Sequence, residues 1–187
     1  SPVLTAGLSF SGTGNTLTGS GSINTAVTIT DGIILSVGNS PGTMNFASGL
    51  TLDAGSLTIA GIDGTSGAGF AGGHDFHNVT GALNYGGDLS LVFGTGTLDE
   101  GTNSWDLFES DSESRTLTSI ALFGDFTGSL LDGDTNVFWD FVSGDNSWGF
   151  DEATGTLGLT VVPEPSAYAL LAGLLGLASV VLHRRRA

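Results

Sequence analysis

Cysteine is absent from the 187 residues, and so is lysine. Without thiols the chain has no disulfides, thiolate metal sites or thiol nucleophiles, so its stability must come from packing and backbone hydrogen bonding. Such a chain can fold in any redox compartment. Basic residues of any kind are scarce: four arginines stand against nineteen Asp and Glu, for a net charge of -15. Three of those arginines lie at 184–186, which leaves Arg115 alone against eighteen acidic residues in the first 162. Nucleic acid and anionic lipid need cationic side chains to displace counterions, and that balance argues against both as partners. Small cations are the partners such a charge invites. No stretch before Ser166 carries a sustained apolar stripe at helical spacing.

What the chain has in plenty is glycine, 31 residues of it, set between short apolar and β-branched runs. Ala26 to Thr30, Gly32 to Val37, Leu50 to Asp53 and Ser56 to Ala60 show the period-two alternation of strands, with Gly42, Gly49, Gly55 and Gly61 placed as turn residues. The body is expected to be all-β. Turns every six to twelve residues or so, few large aromatics before Phe70, and abundant Gly, Thr, Ser and Asn favour a β-solenoid over a sandwich. Thr5 to Ser22 already reads as the middle of a repeated pattern. Either an export leader has been removed ahead of Ser1 or the sequence is the C-terminal piece of a longer chain, and the repeat favours the second.

Two segments, Leu35 to Gly64 and Gly73 to Phe93, resemble the autotransporter-associated, passenger-type β-strand repeat. The matching residues are the turn Asn39, Ser40, Pro41 and Gly42, then Asp75, Val79, Thr80 and Gly81. The resemblance covers about a third of the chain. It implies a right-handed parallel β-helix that displays a surface, and no particular reaction.

From Asp99 to Gly158 the texture changes, with Trp105, Phe108, Phe123, Phe126, Phe138, Trp139, Phe141, Trp148 and Phe150 among many acidic residues. An open solenoid end exposes an apolar stack and unpaired edges, so this region reads as a β-rich aromatic cap. An aromatic sugar-binding platform is the competing reading. The expected organisation is therefore solenoid repeats over 1–98, a cap over 99–161 and a tail over 162–187.

The tail has three parts in order: Pro163-Glu164-Pro165, an apolar run from Ala167 to Leu182, and Arg184-Arg185-Arg186. As a single hydrophobic helix, the sixteen-residue run would span about 24 Å, against a hydrocarbon core of about 30 Å. Arginines stay on the cytoplasmic side, which would put the acidic body outside the inner membrane. This order resembles the PEP-CTERM sorting signal. The resemblance implies recognition by an exosortase, a membrane-embedded transpeptidase-like enzyme that cuts near the motif, with Pro163, Glu164 and Pro165 as substrate residues. A permanent single-span anchor is the alternative.

Among candidate chemical groups, His74, Asp75 and His77 lie close together, but a strand would turn the two histidines to opposite faces, and a turn role is favoured for Asp75. Asp132, Asp134, Asn136 and Asp140 are spaced as a calcium loop begins, although Val137 stands where its glycine belongs and Ser143 where its bidentate glutamate belongs. A solvated acidic turn is the favoured reading, and no other cofactor is implied. Thr28-Ile-Thr30 is too short for a threonine array of the ice-binding kind. Asn78-Val-Thr80 matches an N-glycan acceptor. No nucleophile-elbow, zinc, phosphate-loop or dinucleotide motif occurs, so a catalytic role is not expected. The functional expectation is an exported structural or adhesive protein of the cell surface or extracellular matrix. Its partners would be an exosortase, the inner membrane in transit and exopolysaccharide, and not nucleic acid. A secreted carbohydrate-active or glycan-binding protein is the alternative.

Overall fold

Short β-branched runs between glycine turns become strands, and sequence-distant copies pair side by side. The computed structural model describes residues 7–94, 101–114, 116–132, 138–143 and 146–161, and every regular element among them is a β-strand. The first ten are β1 (Leu8–Phe10), β2 (Thr16–Gly19), β3 (Gly21–Ile23), β4 (Val27–Ile29), β5 (Ile34–Val37), β6 (Thr43–Phe46), β7 (Leu50–Leu52), β8 (Leu57–Ile62), β9 (Phe76–Asn84) and β10 (Asp88–Phe93). The remaining seven are β11 (Gly101–Asp106), β12 (Phe108–Ser114), β13 (Ser119–Gly124), β14 (Gly128–Asp132), β15 (Phe138–Ser143), β16 (Asn146–Asp151) and β17 (Thr156–Val161).

Apart from β11, pairing is parallel through β13 and follows three series. β2, β5, β8, β10 and β13 lie side by side, as do β1, β4, β7 and the end of β9. The third series is β3, β6, the start of β9 and β12. Strand β9 joins the second and third series because it turns a corner. Gly81, at φ 96°, sits at that corner in a backbone region closed to most side chains. Thr80 and Gly81 of β9 stand opposite the single residue Asp111 of β12, a β-bulge, and the Asp111 carboxylate accepts the Gly81 N–H at 2.8 Å. The result is a curled parallel sheet.

Alternation sends one side chain in two to a single apolar core. Val27, Ile29, Leu35, Val37, Met44, Phe46, Leu50 and Leu52 are all buried there, and Val79, Leu83, Leu89, Leu91, Ile120 and Leu122 continue the same interior. Polar residues that stack on the outside bond to one another: Asn78 donates to Asn45 at 3.1 Å, and Asn84 to Thr51 at 3.2 Å. The Asn78 amide of the glycan-acceptor match is thus engaged with its neighbour in the ladder.

After β13 the pairing turns antiparallel. β13, β14, β15, β16 and β17 form a meander, and β11 closes on β17. Of the nine large aromatics in this region, Trp105, Phe108, Trp139, Trp148 and Phe150 are buried, while Phe123 and Phe138 are about half exposed. The Phe93 ring packs edge-on against Trp105, Phe126 and Trp148, with centroids 6.1, 5.3 and 4.9 Å away. Buried Glu152 accepts hydrogen bonds from Leu117 N at 2.7 Å and Trp139 Nε1 at 2.9 Å, which ties the turn after β16 to β15 and to the segment ahead of β13. No helix among the described residues is long and apolar enough to cross a membrane.

One turn assignment differs from the sequence reading. Gly49 and Gly55 take positive φ as turn residues do, but Gly61 lies inside β8. Its missing side chain leaves room for Ser40 and Asp75, so glycine there serves a close approach.

Candidate functional site

Asp75 is buried and acts as a clamp across the parallel layers. Its carboxylate accepts the Gly42 N–H at 2.8 Å, the Gly61 N–H at 2.8 Å and the Ser40 hydroxyl at 2.9 Å. Burial raises its pKa, and the three hydrogen bonds oppose the rise. The turn role expected of Asp75 is therefore exercised on the turn at 39–42, where Asn39 has φ 58° and the Ser40–Pro41 bond is cis. The two halves of the repeat resemblance meet here, Ser40 and Gly42 against Asp75.

The histidines do not part to opposite faces, because His74 precedes β9 and the alternation begins only at Phe76. Both are buried and both address the β11–β12 junction: His74 Nε2 lies 3.0 Å from the Asp106 carbonyl, and His77 Nδ1 lies 3.3 Å from that of Leu107. A carbonyl only accepts, so each of these nitrogens carries the proton. The opposite nitrogens, His74 Nδ1 and His77 Nε2, are buried without a hydrogen-bond partner. Desolvation lowers the pKa of His74 despite the nearby Asp106 and Asp75, and brings that of His77 to about 4. The His77 ring stacks on Phe108 at 4.8 Å. Neutral histidines walled in this way are packing groups.

Among the described residues no three His, Cys, Asp or Glu side chains are placed to hold a metal ion. Of the calcium candidates, Asp132 pairs with Trp139 and Asp140 with Leu131 along one ladder, and Asp140 is exposed on β15. Asp134 and Asn136 lie outside the described residues. So do Pro163, Glu164, Pro165, Ala167, Leu182, Arg184, Arg185 and Arg186.

A surface groove lies on the outer face of the sheet β15–β16–β17–β11. Trp148, Phe150, Leu157, Leu159 and Trp105 point inward, so alternation leaves three outward rows of four. One row is Phe138, Asp151, Thr156 and Asp106, and the opposite row is Val142, Ser147, Thr160 and Thr102. Between them run Asp140, Gly149, Gly158 and Ser104. Two adjacent glycines make the middle row a trough, about 540 Å³ in volume. A second groove of about 600 Å³, lined by His74 together with Phe76, Phe108 and Glu109, meets it at Thr154 and Thr156. Thr156 donates to Asp106 at 2.9 Å on the shared wall.

Neither groove was picked out from the sequence. The signal was present, since Gly149 and Gly158 interrupt otherwise strongly alternating strands, but only the register shows that they are neighbours. The trough carries acids, hydroxyls and one half-exposed ring, and among the described residues no basic side chain lines it. Compared with protein families, with curated proteins and with solved structures, the chain matches none.

Proposed function

We propose that the protein is an exported structural or adhesive component of the cell surface or extracellular matrix, with a right-handed β-solenoid body acting as spacer and a tail that delivers it. The observation that carries this reading is the order of the tail: Pro163-Glu164-Pro165, an apolar run, then three arginines. That order resembles the PEP-CTERM signal and makes an exosortase and the inner membrane its partners. The three parallel strand series support the spacer role, because stacked repeats of this kind grow in length without a new core design. The antiparallel β13–β17 segment with its buried aromatics suits a cap that closes the stack.

Peptide mass spectrometry of protein recovered from the producing cells' surface and medium tests the proposal. A C-terminus between Pro163 and Ser166 is the expected result. An intact Arg186-Ala187 end found only in the membrane fraction refutes sorting and leaves a simple anchor.

A second reading, a carbohydrate-active enzyme, draws on the carboxylates Asp106, Asp140 and Asp151 around the trough. Acid pairs of this kind can perform glycoside hydrolysis when suitably spaced. Release of reducing sugar from a glycan panel, abolished by Asp151→Asn, would favour it over the structural reading.

A further inference from the structure

We infer that the trough on the outer face of β15, β16, β17 and β11 binds a neutral polysaccharide chain. The first ground is the floor. A glycine within a strand costs roughly 0.5–1 kcal/mol relative to alanine, so adjacent strand glycines need a reason. Gly149 has one in packing, since a Cβ there would lie 2.7 Å from the Phe138 ring. Gly158 has none among the described residues: its φ is ordinary, and the one described atom a Cβ would meet is the Gly149 carbonyl oxygen at 3.8 Å. A side chain fits there without strain. What its absence does is keep the floor open to something approaching the backbone.

The second ground is the walls. Phe138 reaches over Gly149 yet remains 46 % exposed, which presents an apolar platform beside the trough. Asp140 and Asp151 supply carboxylate acceptors, and Thr102, Ser147 and Thr160 supply hydroxyls that both donate and accept. A sugar ring offers the complement, an apolar C–H face for the ring and a rim of hydroxyls for the polar groups. Charge decides among polymers: with carboxylates and no cation among the described residues of the face, and a net charge of -15 on the chain, uronates, sulfated glycans and nucleic acids would meet like charge. The four strands span about 14 Å across their three spacings, room for roughly three sugar rings, and the groove past Thr156 extends it.

The inference rests on the surface-protein reading for its setting only. Processing of the tail can fail while glycan binding stands, and the reverse.

The test is calorimetric titration of the full chain, kept in a zwitterionic detergent without a sugar headgroup, with cellohexaose, laminarihexaose, maltohexaose and mannohexaose, and with polygalacturonate as the anionic control. At least one neutral hexaose should bind, and polygalacturonate should not. Phe138→Ala and Gly158→Val should each weaken binding about tenfold or more. Phe123→Ala, which removes the other half-exposed ring from outside this face, should leave affinity within about twofold. Unchanged thermal unfolding of each variant confirms its fold. The inference is overturned if no neutral hexaose binds, if polygalacturonate binds as well, or if folded Gly158→Val and Phe138→Ala retain full affinity.

Discussion

His77 is fully buried in β9 and stacked on Phe108, and among the described residues no charge favours its protonation. In the unfolded chain its imidazole takes up a proton near the ordinary value of 6.5, and in the folded protein only near 4. Between those two values the unfolded state binds more protons, so stability falls as pH falls. The contribution is whole above pH 6.5, erodes by at most about 1.4 kcal/mol per pH unit, and is exhausted a little below pH 4. Two and a half units make a loss of about 3 kcal/mol, a large share of the stability of a domain this size. His74, also lowered by burial, adds to the loss, whereas Asp75 opposes it, because a raised carboxyl pKa makes the folded state the better proton binder at low pH. Comparison with His77→Phe isolates the single imidazole, since the other groups titrate in both proteins and the aromatic contact with Phe108 is kept. Urea unfolding of the two proteins at intervals from pH 7 to pH 4 gives the difference directly. The stability of His77→Phe relative to the parent should rise by about 3 kcal/mol across that range. Parallel pH profiles would refute the assignment of His77 as a neutral buried group.

Asp75→Asn should destabilise by about 2–4 kcal/mol, because an amide offers one acceptor oxygen where the carboxylate takes three donors, and it turns an N–H₂ toward Gly42 or Gly61. The midpoint of urea unfolding reads this, and a loss below about 0.5 kcal/mol would contradict the clamp. Trp148→Ala should cost about 3–5 kcal/mol by emptying the space between Phe93 and Phe126, whereas Phe123→Ala should stay within about 1 kcal/mol. Equal costs would mean that the aromatics of the antiparallel segment do not form one packed cluster.

The strands at 27–29, 34–37, 50–52 and 57–62 were legible because period-two alternation is a local signal. Their partners were not. Alternation says which side chains share a face, but the pairing of Leu50 with Leu83, or of His77 with Phe108, depends on how far the chain travels before it returns. The same limit hid the site. Gly149 and Gly158 are ordinary strand glycines in sequence and become a trough only when β16 and β17 are set in register. The opposite-face argument for the histidines held only for a continuous strand, and His74 forms isolated bridges with Ile62 and Ala68 ahead of β9, so the alternation does not reach it. Asp75 was easier, because its place in the repeat pattern marked it as a turn partner before its hydrogen bonds were seen.

All three tryptophans of the chain, at 105, 139 and 148, are buried in the antiparallel segment or on β11, and none stands among β1 to β10. Indole emission therefore watches one end of the molecule. Far-ultraviolet dichroism, by contrast, averages over every strand. If the parallel layers loosen progressively from the β1 end, dichroism will begin to fall while the emission maximum stays fixed. If the whole body melts as a unit, the two curves will superimpose. The placement of three side chains has thus equipped the protein with its own position-resolved reporter of how far cooperativity extends along the stack.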